Sequence, residues 1–161
     1  MGRSADIFAK LRLTPGQLRA VAERRLDDAR CLRDSRHPQR ANGAIYMAGF
    51  AVECLLKALL LERHPNLGKP VDPAKLSRSD REVFELLYSH DLGDMLGFLP
   101  ELEKKLSAVR TKSRRSAWQA FNDICEEWTV YARYSPRTAS MEQAADYIDT
   151  VEEVKQWLRQ P

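Results

Sequence analysis

Six residues of this chain have types and positions that could do chemistry together: Glu53 and Lys57, His90 and Asp91, and Arg133 and Tyr134. A lysine and an arginine can neutralise phosphate oxygens, the guanidinium through two parallel donors. A histidine can move a proton near neutral pH. An aspartate such as Asp91 can cap a helix whose first amides then attract an anion, and a tyrosine ring gives a base a surface to stack on. Each residue also has an ordinary structural role. Glu53 and Lys57 are four apart with the acid first, a helix pair worth about 0.2–0.5 kcal/mol; His90 and Asp91 can simply begin a helix; Arg133 can buttress a carboxylate such as Glu53. A site for a nucleotide or RNA exists only if packing brings the three segments into one cleft.

The segment that must organise this packing is 44–61, AIYMAGFAVECLLKALLL, in which Glu53 and Lys57 are the two charged residues. Its composition favours helix over strand, and apolar residues fall on every side, as in a helix surrounded by other elements. Its length approaches that of a bilayer span. Two central charges, each costing about 2.5–3.5 kcal/mol to insert, and the polar remainder of the chain argue against a membrane.

Before it, Thr14-Pro15-Gly16-Gln17 forms a capping box that opens a helix with Leu18, Ala22, Leu26 and Ala29 on one stripe, stopped at His37-Pro38. The central helix stops at Arg63-His64-Pro65. Beyond it, Asp72-Pro73 starts a helical turn and Ser77 or Ser79 caps a helix with Val83, Phe84, Leu86 and Leu87. Ser89 or Asp91 caps the next, with Met95, Leu96 and Leu99, and Pro100 opens another with Leu102, Leu106 and Val109. Trp118, Phe121, Ile124, Cys125 and Trp128 repeat at helical spacing, an extended exit covers 131–136, and Ser140-Met141-Glu142-Gln143 is a second capping box before Ala144, Ile148 and Val151. No segment alternates like a strand. The expected fold is all-α, an antiparallel up-and-down bundle of four main helices plus a short extra helix, in one domain over 1–161 with 1–13 irregular.

Composition narrows the function classes. The net charge is +3, but up to Arg40 there are ten Lys and Arg against five Asp and Glu, and from Ser116 onward four against eight. Such an asymmetry suits a polyanion partner, self-association or a merely soluble surface. The basic stretch 104–115 reads as a solvated loop. Cys31, Cys54 and Cys125 contain no CxxC pair, so neither a disulfide framework nor a zinc site is implied; no metal or other cofactor is expected, and a reducing cytoplasm is the expected location.

Three stretches resemble the HEPN family, the nucleotide-binding helical domain of higher eukaryotes and prokaryotes. Ala51-Val52-Glu53-Cys54-Leu55-Leu56-Lys57-Ala58 is similar to its Glu-x-x-x-Lys-Ala helix, His90-Asp91-Leu92 with Met95-Leu96 to its His-x-Leu-x-x-Leu segment, and Arg133-Tyr134-Ser135-Pro136 to an Arg-Tyr-Pro signature, with Ser135 inserted. The resemblance implies a helical bundle, commonly a homodimer, that binds a nucleotide or RNA or partners a nucleotidyltransferase. Many members are ribonucleases with an Arg-x(4–6)-His motif in the C-terminal half. This chain has no histidine after His90, so Arg133 lacks that partner. The one spacing match, Arg30 to His37, falls on the first helix, the wrong element for the family.

The leading expectation is therefore a non-catalytic HEPN-type module with Glu53, Lys57, His90, Asp91, Arg133 and Tyr134 at its binding site. A ribonuclease or toxin using atypical residues, and a helical oligomerisation scaffold, are the alternatives.

Overall fold

The computed structural model describes residues 14–69, 72–110, 116–129 and 134–159. Among them are seven α-helices: α1 (Pro15–Asp34), α2 (Ala41–Arg63), α3 (Arg78–Leu86), α4 (Leu92–Gly97), α5 (Pro100–Ser107), α6 (Ala117–Glu127) and α7 (Met141–Arg159). No strand occurs among the described residues; the one β-type contact among them is an isolated bridge between Arg110 and Ser116.

Local chemistry sets most helix starts. The Thr14 hydroxyl accepts from the Gln17 amide while the Gln17 side chain accepts from the Thr14 amide, with Pro15 at the first helical position. The same reciprocal pair forms between Ser116 and Gln119 at α6 and between Ser140 and Gln143 at α7. Ser77 caps α3 and Asp91 caps α4. Where α1 ends, Arg36 takes a φ of 52°, the left-handed conformation usually given to glycine. Arg36→Gly is expected to raise stability by about 0.5–1 kcal/mol, since the strain relieved exceeds the added chain entropy. An unchanged denaturation midpoint would show that the turn carries no strain.

Ion pairs fix the helix directions. Along α1, Glu23, Arg30 and Arg33 meet Lys155 and Arg159, then Glu152, then Asp149 of α7, so residue numbers rise on one helix as they fall on the other. Arg19 near the start of α1 holds both oxygens of Glu62 near the end of α2. The end of α6 meets the first half of α2 through Trp128 and Tyr46, and the approach to α7 meets the start of α2 through Asn42 with Arg137 and Ala139. The four longest helices thus run up, down, up, down, and α3, α4 and α5 bridge α2 to α6. Two of the α1–α7 pairs offset part of the charge asymmetry: Arg30 and Arg33 of α1 meet carboxylates of α7, which lowers the basic charge that these two residues offer to a polyanion. Arg30 holds the Glu152 carboxyl below its usual range.

The core is organised by α2. Thirteen of its residues are buried, on all sides of the helix, against α1, α7 and α4. The segment 38–63 is long and apolar enough to span a bilayer, but 67% of its apolar window is buried inside the bundle. Its small residues let neighbours approach. Gly49 faces Trp128 so closely that an added Cβ would lie 1.9 Å from the indole Cδ1. The indole N–H donates to the Tyr46 carbonyl at 3.2 Å and its ring stacks on Tyr46 with centroids 5.9 Å apart. Asn42 clamps the approach to α7, donating to the Arg137 carbonyl and accepting from the Ala139 amide, both at 2.7 Å.

Candidate functional site

Glu53 is the one buried charged residue among those described, 2% exposed at the centre of α2. Burying a carboxylate is costly unless charge and hydrogen bonds compensate it, and here two partners do. The Lys57 ammonium donates to Glu53 Oε1 at 2.7 Å, one helical turn away and itself largely buried. His90 Nδ1 lies 3.1 Å from both carboxylate oxygens. A carboxylate only accepts, so Nδ1 supplies the proton and Nε2 is left for another partner.

The turn that presents His90 is built by its neighbours. After α3, Ser89 Oγ accepts from the Asp91 amide at 3.0 Å, and Asp91 Oδ1 accepts from the Asp94 amide at 2.9 Å to start α4. Leu92 and Met95 then sink into the core. His90 is pinned between this cap and Glu53, yet its side chain stays half exposed. Packing therefore joins three of the six expected residues, Glu53, Lys57 and His90. Asp91 is adjacent but turned to its capping role. Tyr134 is 70% exposed. Arg133, with the first half of the expected exit over 131–136, lies outside the described residues, as do 1–13 and 111–115.

His90 borders two clefts. One, of about 550 Å³, is the more polar of the two, lined by Ser89, Asp91, Glu126 and Thr129 together with Leu92, Cys125 and Trp128. The other, of about 390 Å³, lies between α1, α2 and α3 and is mainly apolar, with Phe50, Leu61, Phe84 and Tyr88 around Glu53 and Lys57. Sequence reasoning missed the second cleft. The usable signal was Phe84 and Tyr88, four apart in and just after a short amphipathic helix, which pack edge to face at 5.2 Å. His64 also does more than stop α2. Its Nδ1 meets Asp80 Oδ1 at 2.7 Å, which ties the end of α2 to α3 and holds the Asp80 carboxyl below its usual range.

The atypical Arg30–His37 pair forms no site. The Arg30 guanidinium is held by Glu152 at 2.7 Å and Asp27 at 2.5 Å, while His37 is exposed at the cap of the turn 38–40. Cysteine chemistry is equally restricted. Burial pushes the Cys54 and Cys125 thiols up to about 12, with the Glu53 charge adding to the shift at Cys54 and that of Asp91 at Cys125. A thiol reagent at neutral pH is expected to modify exposed Cys31 quickly and the other two only after unfolding. Mass spectrometry of the native protein checks this, and rapid labelling of Cys54 would mean that the cleft wall opens readily.

A profile of the HEPN domain matches residues 17–160. The chain belongs to the HEPN family. Neither a curated protein nor a solved structure matched it. In this HEPN domain the Glu-x-x-x-Lys pair and the His-x-Leu-x-x-Leu turn are in direct contact through Glu53 and His90, so two of the sequence stretches that carried the resemblance form one packed unit.

Proposed function

We propose that this HEPN domain is a non-catalytic module that binds a nucleotide or a short RNA segment at the polar cleft beside His90. The observation that carries the reading is a half-exposed histidine oriented by a fully buried carboxylate, which is itself held by a partly buried lysine. Glu53 is too deep to meet a ligand; its role is to hold the imidazole. A preoriented ring loses little freedom on binding, so its remaining nitrogen can meet a phosphate oxygen or a base edge at low entropic cost. Cleavage of RNA requires an acid and a base placed on either side of the reacting phosphate. The arginine–histidine pair of nucleolytic relatives is missing from the C-terminal half, and the one spacing match elsewhere has its arginine committed to Glu152 and Asp27.

The test titrates AMP, ATP and a labelled oligoribonucleotide into the pure protein at low salt and recovers the RNA afterwards. Binding with intact RNA is expected, and His90→Ala should weaken it about tenfold, the loss of one hydrogen bond to a charged group. RNA cleavage that disappears in His90→Ala would replace this reading with a ribonuclease. Absence of binding to all three ligands would overturn it, leaving a protein partner or self-association as the role of the fold.

A further inference from the structure

We propose that the apolar cleft between α1, α2 and α3 is a second site, distinct from the polar cleft, and that it takes a small amphipathic anion: an apolar body carrying one negatively charged head group. Its volume of about 390 Å³ falls in the range of small-molecule sites and is too small for a folded partner. Phe50 and Leu61 from α2, Val21 from α1, Phe84 from α3 and Tyr88 from the turn after it supply apolar surface on three sides. Tyr88, 73% exposed, places a large ring at the rim, edge to face with Phe84.

Charge decides what such a body must carry. The acidic and basic side chains that line the cleft are Glu53, Lys57, Lys69 and His90. Glu53 and Lys57 cancel each other at 2.7 Å. Lys69 is exposed and has no carboxylate partner among the described residues, and the only carboxylate lining the cleft is already engaged by both Lys57 and His90. The uncompensated charge is therefore positive and sits beside an apolar wall. A cationic or neutral apolar molecule would leave Lys69 unanswered, whereas an anionic head beside Lys69 with the body against Phe50, Leu61 and Phe84 satisfies both features. This site needs neither a base nor a phosphate, so it stands apart from the nucleotide reading and can be tested without it.

The experiment follows the fluorescence of 1-anilinonaphthalene-8-sulfonate, an apolar anion, on the full chain, with displacement by decanoate, decanol and decylamine, which share a tail and differ in head charge. One saturable site per chain is expected, displaced best by decanoate and worst by decylamine. Lys69→Glu should weaken decanoate about fivefold or more, leave decanol unchanged and preserve the melting temperature, since it replaces an exposed side chain. Val21→Trp, which fills the cleft, should abolish probe binding, with the melting temperature showing whether the fold survives. No saturable binding to the native protein would overturn the proposal. So would equal displacement by all three head groups, or binding that Lys69→Glu leaves intact.

Discussion

Lys57→Met is expected to cost about 3–5 kcal/mol of stability, the largest single loss at the candidate site. The reason lies in Glu53, not in the lysine. Removing Lys57 leaves a carboxylate that is 2% exposed with His90 as its one remaining partner among the described residues, and a buried charge without adequate compensation is far more expensive than the pair itself is favourable. The double variant Glu53→Leu with Lys57→Met should therefore recover most of the loss, because an apolar pair of similar size asks for no compensation. Chemical denaturation of the wild type, both singles and the double completes the cycle. A single-variant loss below about 1 kcal/mol would place the pair energetically with exposed ion pairs and remove the argument that it anchors His90. The double variant should also loosen ligand binding even where it is stable, since the imidazole then has nothing to orient it.

Gly49→Ala is the second large effect, and here two physical arguments predict opposite signs. By helix propensity alone the change should stabilise α2 by about 0.8–1 kcal/mol. The structure reverses this, since the new methyl would lie 1.9 Å from Trp128 Cδ1 and 2.2 Å from Nε1. The indole sits 4% exposed and is held by its hydrogen bond and stack with Tyr46, so it must move as a rigid ring. Overpacking of this kind costs about 1–3 kcal/mol, and loss of the indole hydrogen bond adds about 1 kcal/mol, so the net result is destabilising. The melting temperature gives the sign and tryptophan fluorescence shows the displaced ring. A stabilised protein with an unchanged spectrum would mean that α2 and α6 can separate there at little cost.

Much of this architecture follows from patterns that act over one or two helical turns. The capping boxes at Thr14 and Ser140, the proline stop after His64, and the absence of polar faces on 44–61 are local facts that the helices follow, whereas α1 ends at Asp34, ahead of the expected stop at His37-Pro38, because Arg36 takes the left-handed conformation that closes it. The Ser116 box has the same form and marks the start of α6, ahead of the apolar repeat from Trp118.

The site divides along the same line. A pair four residues apart on one helix is decided by helix geometry, so Glu53 with Lys57 could be read directly from the sequence. The contact between Glu53 and His90 spans 37 residues and depends on how α3 and α4 turn back onto α2, which no local pattern encodes. The same holds for the four α1–α7 ion pairs, two of which, Arg30–Glu152 and Arg33–Asp149, set bases of α1 against acids of α7 and so offset part of the charge asymmetry inside the bundle. By itself the sequence determined the helical class, the central helix and the family, because periodicity and capping are short-range properties of the chain. Only the tertiary structure decided that Glu53 is buried, that His90 rests on it, and that a second, apolar cleft opens on the other side of that histidine, because burial and cleft shape belong to surfaces contributed by α1, α2 and α3 together.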